Sequence, residues 1–423
     1  DANTTANQNT AIGYQSLSAN TTGYQGVALG SGALKSNTTG VVNTAIGAEA
    51  LDANTTGDKN VAIGKGALSG NTTADMNVAI GWDAMLANTT GTENTAVGTQ
   101  ALQTSTTDSG NTAIGYRALE SSSGGFYNTA VGSRCLEDTT TGDNNTAVGY
   151  NALHENTTGG DNTAVGYEAG FKSIDSNNVY VGYHAFKWST GSENVAVGKE
   201  ALRGSGDGSG GTGGRNVAIG HQAMLSANGN AYRNTAVGWY ALRDVTTGYQ
   251  NVCLGKSAGE NLTTGARNVI LGPEMEASAV DRNYEYSIGY NTAGNGDSTF
   301  YVHSTSGAYN GSNSSTWHTT SDIRIKKNVT DNNTGLDILK QIQVRNFEYK
   351  TKEEIVEGAP ELKDVIKSVF VEQEGTQLGV IAQEIEKVLP EVVDVQSTGV
   401  KTVTPDNLTW YLVNAVKELS EKN

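Results

Sequence analysis

Glycine recurs every seventeen residues at Gly13, Gly30, Gly47, Gly64, Gly81, Gly98, Gly115, Gly132, Gly149 and Gly166, and no other feature limits the possible folds so sharply. The spacing loosens through Gly182, Gly198, Gly220 and Gly238, then returns at Gly255, Gly272 and Gly289, which sets the end of the array near residue 295. Each unit reads approximately Asn-(Thr/Val)-Ala-(Ile/Val)-Gly-x-x-Ala-Leu before a polar stretch, as in Asn60-Val61-Ala62-Ile63-Gly64-Lys65-Gly66-Ala67-Leu68. Val61 and Ile63 alternate with Ala62 at the period of a strand. The Ala67-Leu68 pair is too short for a helix and runs into the turn residues Ser69-Gly70-Asn71, so it reads as a second short strand. Two strands per unit are expected, with bends at the glycine and at the polar stretch.

So small a unit cannot bury its own apolar face, and its strands must pair with those of neighbouring units at ~4.8 Å per coil. Seventeen coils then give a rod about 80 Å long. Stacking sets like over like: Asn9, Asn43, Asn60, Asn77, Asn94, Asn111, Asn128, Asn145 and Asn162 form a ladder whose amides hydrogen-bond along the axis, a structural role and not a catalytic one. Alanine recurs on the opposite strand face at Ala45, Ala62, Ala79, Ala96, Ala113 and Ala130. Both faces therefore carry apolar ladders, and the second must be covered. The economical cover is another copy of the same chain, which predicts a homo-oligomer whose order the spacing does not fix.

Composition agrees with a thin core, since 423 residues include 53 Gly and only 7% aromatics, while the strict apolar spacing excludes disorder. A net charge of -16 argues against nucleic-acid partners, and no apolar run approaches membrane-spanning length, so no membrane insertion is expected. The chain opens in mid-repeat at Asp1-Ala2-Asn3-Thr4-Thr5, so any leader or anchoring domain would lie outside it. Cys135 and Cys253 each replace a repeat alanine and read as small core fillers. They lie about seven coils, roughly 34 Å, apart and cannot bridge within one rod. The histidines His154, His184, His221, His303 and His318 are scattered, so neither a metal nor another cofactor is expected.

Two further columns carry possible function. Tyr14, Trp82, Tyr116, Tyr150, Tyr167, Tyr183, Trp239 and Tyr290 all follow the repeat glycine directly and predict an aromatic stripe along one edge. Such a stripe suits the stacking of sugar rings, or else packing over the turn or against a second subunit. Asn3, Asn20, Asn37, Asn54, Asn71 and Asn88 each open Asn-Thr-Thr at one repeat position. They read as glycosylation acceptors in a secreted eukaryotic chain, or as turn residues bonded to the local backbone, and the turn reading is preferred.

The unit Asn77-Val78-Ala79-Ile80-Gly81, or Asn94-Thr95-Ala96-Val97-Gly98, resembles the head repeat of YadA-type trimeric autotransporter adhesins across residues 1–295. That resemblance implies a mainly β, left-handed parallel β-roll solenoid that is homotrimeric. The seventeen-residue period is longer than is usual in those adhesins, so no ligand preference is carried over.

At Thr320 glycine becomes sparse, Lys and Glu rise and helical periodicity begins, which marks residues 296–320 as a β-rich linker and 321–423 as a second domain. Apolar faces at Leu336, Leu339, Ile342 and Val344, at Val380 to Leu389 before Pro390, and at Leu408 to Leu419 predict helices. Leu412, Val416 and Leu419 fall at coiled-coil spacing. Ser321-Asp322-Ile323-Arg324-Ile325-Lys326-Lys327-Asn328-Val329, Leu378-Gly379-Val380-Ile381-Ala382-Gln383-Glu384 and Pro390-Glu391-Val392-Val393 resemble the self-cleaving intramolecular chaperone of endosialidase-type phage tailspikes. The resemblance implies a small α+β domain with a C-terminal helix that trimerises the preceding fibre. It also implies self-release by cleavage between Thr320 and the Ser321-Asp322 pair.

Carried over residue by residue, Ser321 is the nucleophile and Lys326 its general base. Lysine accepts that proton only when burial or neighbouring cations hold the amine neutral, and Arg324 and Lys327 supply such a field. In an extended strand Ser321 and Lys326 would stand on opposite faces, roughly 17 Å apart, so a bend or a lysine from another subunit is needed. His318 is a rival base. At most, then, the enzyme activity is a single-turnover serine endopeptidase acting on its own chain.

The leading expectation is a viral tail fibre or appendage at the virion or extracellular surface that contacts a host receptor or glycan. A cellular trimeric surface adhesin with the same modules is the alternative. A polysaccharide-degrading tailspike needs paired carboxylates in a groove, whereas Glu49, Asp83 and Glu93 are dispersed along the repeats.

Overall fold

The computed structural model describes residues 5–204, 213–228, 230–302, 308–310, 328–332, 334–365, 375–395, 400–403 and 405–422. The chain divides into two compact units, Asp1–Thr320 and Ser321–Asn423. The first is a parallel β-solenoid in which each coil contributes a three-residue strand, from Thr10–Ile12 to Tyr286–Ile288. Successive strands pair in register, so Val61, Ala62 and Ile63 face Val78, Ala79 and Ile80. The parallel ladder runs on to Phe300–Val302, where Ala308–Asn310 closes it with an antiparallel pair.

From Val27–Leu29 to Tyr286–Ile288 the centre of each ladder strand points into the coil, and the repeat alanines from Ala28 to Ala236 are fully buried there, whereas Ala11 in the first strand is exposed. The flanking residues point outward and stay partly exposed, as Ile80, Ile114 and Leu254 do at 37%, 40% and 39%. A narrow coil admits alanine at the strand centre because the facing volume is filled by the leucine of the turn, Leu34, Leu51 or Leu68.

The expected second strand forms in the last two coils, where Met275–Glu276 pairs in parallel with Thr292–Ala293, and in the other described coils a turn takes its place. Ala67-Leu68 and its equivalents form a turn in which the leucine is left-handed, with φ of 52°, 54° and 55° at Leu34, Leu51 and Leu68. That conformation costs about 1–2 kcal/mol for an L-residue. Complete burial of the leucine returns ~1.5–3 kcal/mol, and its N–H is satisfied by the coil above, as in Leu34 N–H to Ala50 O at 3.1 Å. Burial therefore outweighs local strain. The repeat glycine is needed for a different reason. Gly13 has φ +137°, and a Cβ there would stand 2.6 Å from the carbonyl carbon of Gly30 on the next coil.

Asparagine ladders hold the coils in register. Asn60 N–H donates to Asn43 Oδ1 at 2.9 Å while its own Nδ2 donates to Ala74 O at 2.8 Å, and the pattern repeats at Asn77 and Asn94. A second ladder uses the Asn-Thr-Thr positions: Asn54 Nδ2 donates to Asn37 Oδ1 at 2.8 Å and to Gly57 O at 3.0 Å. Each of Asn20, Asn37, Asn54, Asn71 and Asn88 is buried with its amide nitrogen donating to a backbone carbonyl of its own turn, which leaves no room for a glycan and makes them turn residues.

The second unit contains two antiparallel pairs, Arg345–Phe347 with Gln377–Gly379 and Val393–Val395 with Lys401–Val403. Its core gathers Ile385, Leu389 and Val392 against Ile338, Ile342, Val380, Leu408 and Tyr411. Two of the expected helices shrink to one turn each, Leu336–Leu339 and Ala382–Ile385, because Val380 and Ile381 follow a strand and Pro390 opens a new 3-10 turn. Val344 is exposed instead of lying on an apolar helix face. Lys352–Gly358 starts with a capping box between Thr351 and Glu354. The final helix, Pro405–Glu421, is the longest described.

Candidate functional site

The nucleophile and base expected at Ser321 and Lys326 lie outside the described residues, as do Thr320, Asp322, Arg324, Lys327 and His318. The segment that follows them is described from Asn328, and it is tied to the final helix. Asn414 Nδ2 donates to Asn332 O at 2.7 Å and to Thr334 O at 3.1 Å, while Glu418 Oε1 accepts from Leu336 N–H at 3.2 Å. Glycine is required at position 335, where a Cβ would meet Ala415 N at 2.6 Å. The start of the C-terminal unit is thus clamped to its end.

The final helix has two apolar sides. Leu408, Tyr411 and Ala415 face the core, and Tyr411 donates its hydroxyl proton to Glu391 Oε1 at 2.6 Å. Leu412 and Val416 face outward at 55% and 57% exposure, with Trp410 and Val413 beside them. A cavity of about 500 Å³ opens between Asn332, Glu391, Trp410, Tyr411 and Asn414.

On the rod the aromatic column is exposed, from 42% at Tyr116 to 75% at Tyr14, with Trp82, Tyr150, Tyr167, Tyr183, Trp239 and Tyr290 between those values. Coil stacking sets the ring spacing: Tyr150 and Tyr167 lie 5.3 Å apart at 19°, and Tyr167 and Tyr183 5.3 Å apart at 15°. These three give their faces to one another, leaving edges to a ligand. Tyr14, Trp82 and Tyr290 stack on no other ring among the described residues and are the most exposed of the column.

Beside that column runs a charged one that single-residue reading of the repeat had not separated. Glu168 forms an ion pair with Lys187, and His184 Nε2 stands 2.9 Å from the same carboxylate. Burial pushes the Glu168 carboxyl up, but the hydrogen bond and charge of Lys187 outweigh it and hold the group below its usual range. Burial and the same lysine push His184 down, against the pull of Glu168. Further along, Glu137 gathers Arg117 at 3.5 Å, Arg134 at 3.6 Å and His154 at 3.0 Å. Glu120 is raised, first by burial, with Arg117 opposing and Glu137 adding to the rise. These carboxylates are held in ion-pair ladders, the arrangement of a scaffold and not of an open catalytic pair.

Both cysteines are buried, and burial raises the Cys135 thiol to about 12 and moves Cys253 in the same direction. Among the described residues no group of His, Cys, Asp or Glu is placed to hold a metal ion, and no helix is long and apolar enough to cross a membrane.

A family model described as chaperone of endosialidase matches residues 321–394. No curated protein and no solved structure matches the chain.

Proposed function

We propose that this chain is a trimeric tail-fibre-like attachment protein, in which a β-solenoid rod presents a receptor-binding surface and the C-terminal unit assembles three copies. The observation that carries the reading is the match to the chaperone of endosialidase at 321–394 directly behind a rod with an uncovered apolar face. That face is long. Val27, Ile80, Ile114, Val148, Val181 and Leu254 stand outward on successive parts of the ladder. At ~25 cal/mol per Å² an apolar strip of this extent is a strong drive to self-association. The outward side of the final helix, Leu412 and Val416, supplies a seam of the same chemistry at the other end of the chain.

Assembly then precedes release. Ser321 Oγ attacks the carbonyl carbon of Thr320 while Lys326, from the same chain or a neighbour, takes the hydroxyl proton and passes it to the Ser321 nitrogen; the Thr320–Ser321 C–N bond breaks to give an ester on Oγ and a free amine, and water then hydrolyses the ester to the Thr320 carboxylate and the serine hydroxyl. The clamp of Asn414 and Glu418 on Asn332, Thr334 and Leu336 holds the chain leaving that bond. Fold and family resemblance favour a viral appendage over a cellular adhesin through the self-releasing chaperone. Expressing the intact chain beside Ser321→Ala, followed by denaturing electrophoresis and fragment mass, tests the reaction. Loss of about a quarter of the chain in the unmutated form alone supports it, by the position of Ser321 in 423 residues. Identical intact products from both remove it.

A further inference from the structure

Among the described arginines of the rod, two form no ion pair with a carboxylate. Every other described arginine, such as Arg117, Arg215 and Arg243, stands beside a carboxylate. Arg233 and Arg267 do not, although the chain as a whole carries -16. Both are exposed and both occupy the position immediately before the ladder asparagine, Asn234 and Asn268. The strands that follow them pair through one intervening coil, Thr235 to Val252 to Val269. The two arginines therefore sit about 9.6 Å apart along the axis, twice the strand spacing.

Aromatic rings frame both. The Arg233 guanidinium lies over Tyr232 at 5.8 Å, and that of Arg267 lies over Tyr249 at 5.4 Å and Tyr284 at 5.2 Å. Tyr232 and Tyr249 stack at 5.0 Å with planes 1° apart. Gln250, on the coil between, holds Arg267 Nε through its Oε1 at 3.1 Å. These contacts fix the guanidinium groups without discharging them, and a shallow cavity of about 540 Å³ opens beside Arg233 and Tyr232, its far side lined by the Arg215–Glu193 ion pair, whose carboxylate is already taken up by Arg215.

We propose that this column binds a linear carboxylated polysaccharide, with Arg233 and Arg267 each taking one carboxylate and the tyrosines contacting the sugar between them. A planar guanidinium matches a carboxylate with two parallel hydrogen bonds, and exposed aromatic surface suits the apolar side of a pyranose. The separation of the arginines fits an acidic group on every second sugar of an extended chain. Phosphates of single-stranded nucleic acid lie closer together, and the acidic rod opposes a dense polyanion. The proposal rests on the rod serving as an attachment surface, and it deepens that reading by naming the ligand.

The test is titration of the full chain with hyaluronan oligosaccharides, which carry a carboxylate on every second sugar. Neutral dextran and single-stranded DNA serve as comparison ligands. Binding of hyaluronan alone is expected, weakened about tenfold by Arg233→Gln or Arg267→Gln and less by the lysine variants. Sedimentation and self-cleavage are measured on the same samples and are expected to be unchanged, so a failure of ligand binding is distinguished from a failure of the fibre reading. The proposal is overturned if hyaluronan does not bind, if dextran or DNA binds equally well, or if the glutamine variants bind normally. It is also overturned if those variants dissociate the assembly, which would make the column a seam between copies.

Discussion

Replacing Asn77 with alanine tests the ladder at a single rung. Asn77 is fully buried, its Nδ2 donates to Gly91 O at 2.8 Å, and its Oδ1 accepts from Asn94 N–H at 3.0 Å. The losses are unequal. Gly91 O keeps a second donor, Asn88 Nδ2 at 3.0 Å, and Asn94 Nδ2 keeps Asp108 O at 2.7 Å. Asn94 N–H has no other acceptor and becomes a buried orphan. An orphaned buried donor costs about 1–3 kcal/mol and a shared bond ~0.5–1.5 kcal/mol, so Asn77→Ala should destabilise its coil by about 2–4 kcal/mol. Because each coil touches only its neighbours, the effect is local. Native-state hydrogen exchange at the Asn94 amide should quicken roughly thirty-fold to several hundred-fold, with the strand Val217–Ile219 unaffected. Asn77→Asp keeps the acceptor but aims a carboxylate at Gly91 O. It should be worse at neutral pH and recover as acid protonates the buried group. Less than a threefold change at Asn94, or an equal change throughout the rod, would refute the rung-by-rung account.

Three other outcomes follow from the same coordinates. Gly64→Ala places a Cβ 2.7 Å from the Gly81 carbonyl carbon at φ +135°, and should cost at least ~3 kcal/mol in thermal unfolding. Cys135, with its thiol raised to about 12, should resist a thiol reagent at pH 8 in the folded rod and react at the rate of a free cysteine once unfolded. Glu168 titrates below its ordinary 4.5 in the folded rod, so its pairing with Lys187 stabilises fully above that value and fades as pH falls through the lower folded value. Wild type and Glu168→Gln should therefore differ by about 1 kcal/mol at pH 7 and converge in acid, as read from paired melting curves.

The strand of each coil was legible because Val61, Ala62 and Ile63 alternate and Asn60 precedes them at a fixed offset. The turn was not, since Leu68 carries no sequence mark of a left-handed conformation; only the packed coil makes that conformation worthwhile. Short elements misled in the C-terminal unit for a related reason. The apolar run Val380 to Leu389 has helical period, yet its first residues continue from the strand Gln377–Gly379 and its last lead into Pro390. The aromatic column was visible by counting from the glycine. Arg233 and Arg267 keep one offset from Gly238 and Gly272, but their lack of a carboxylate partner depends on which side chains the stacked coils bring beside them, and that is visible only in the fold. Ser321 and Lys326 were legible only through family resemblance, because nothing in their spacing brings them together.

Sedimentation equilibrium of the Ser321→Ala chain tests the central claim, that an outward apolar ladder and a C-terminal seam are covered by sister copies. The account predicts a single species of three times 44.1 kDa that falls apart when Leu412 and Val416 are both replaced by aspartate. A stable, soluble species of 44.1 kDa from the unsubstituted seam would contradict it.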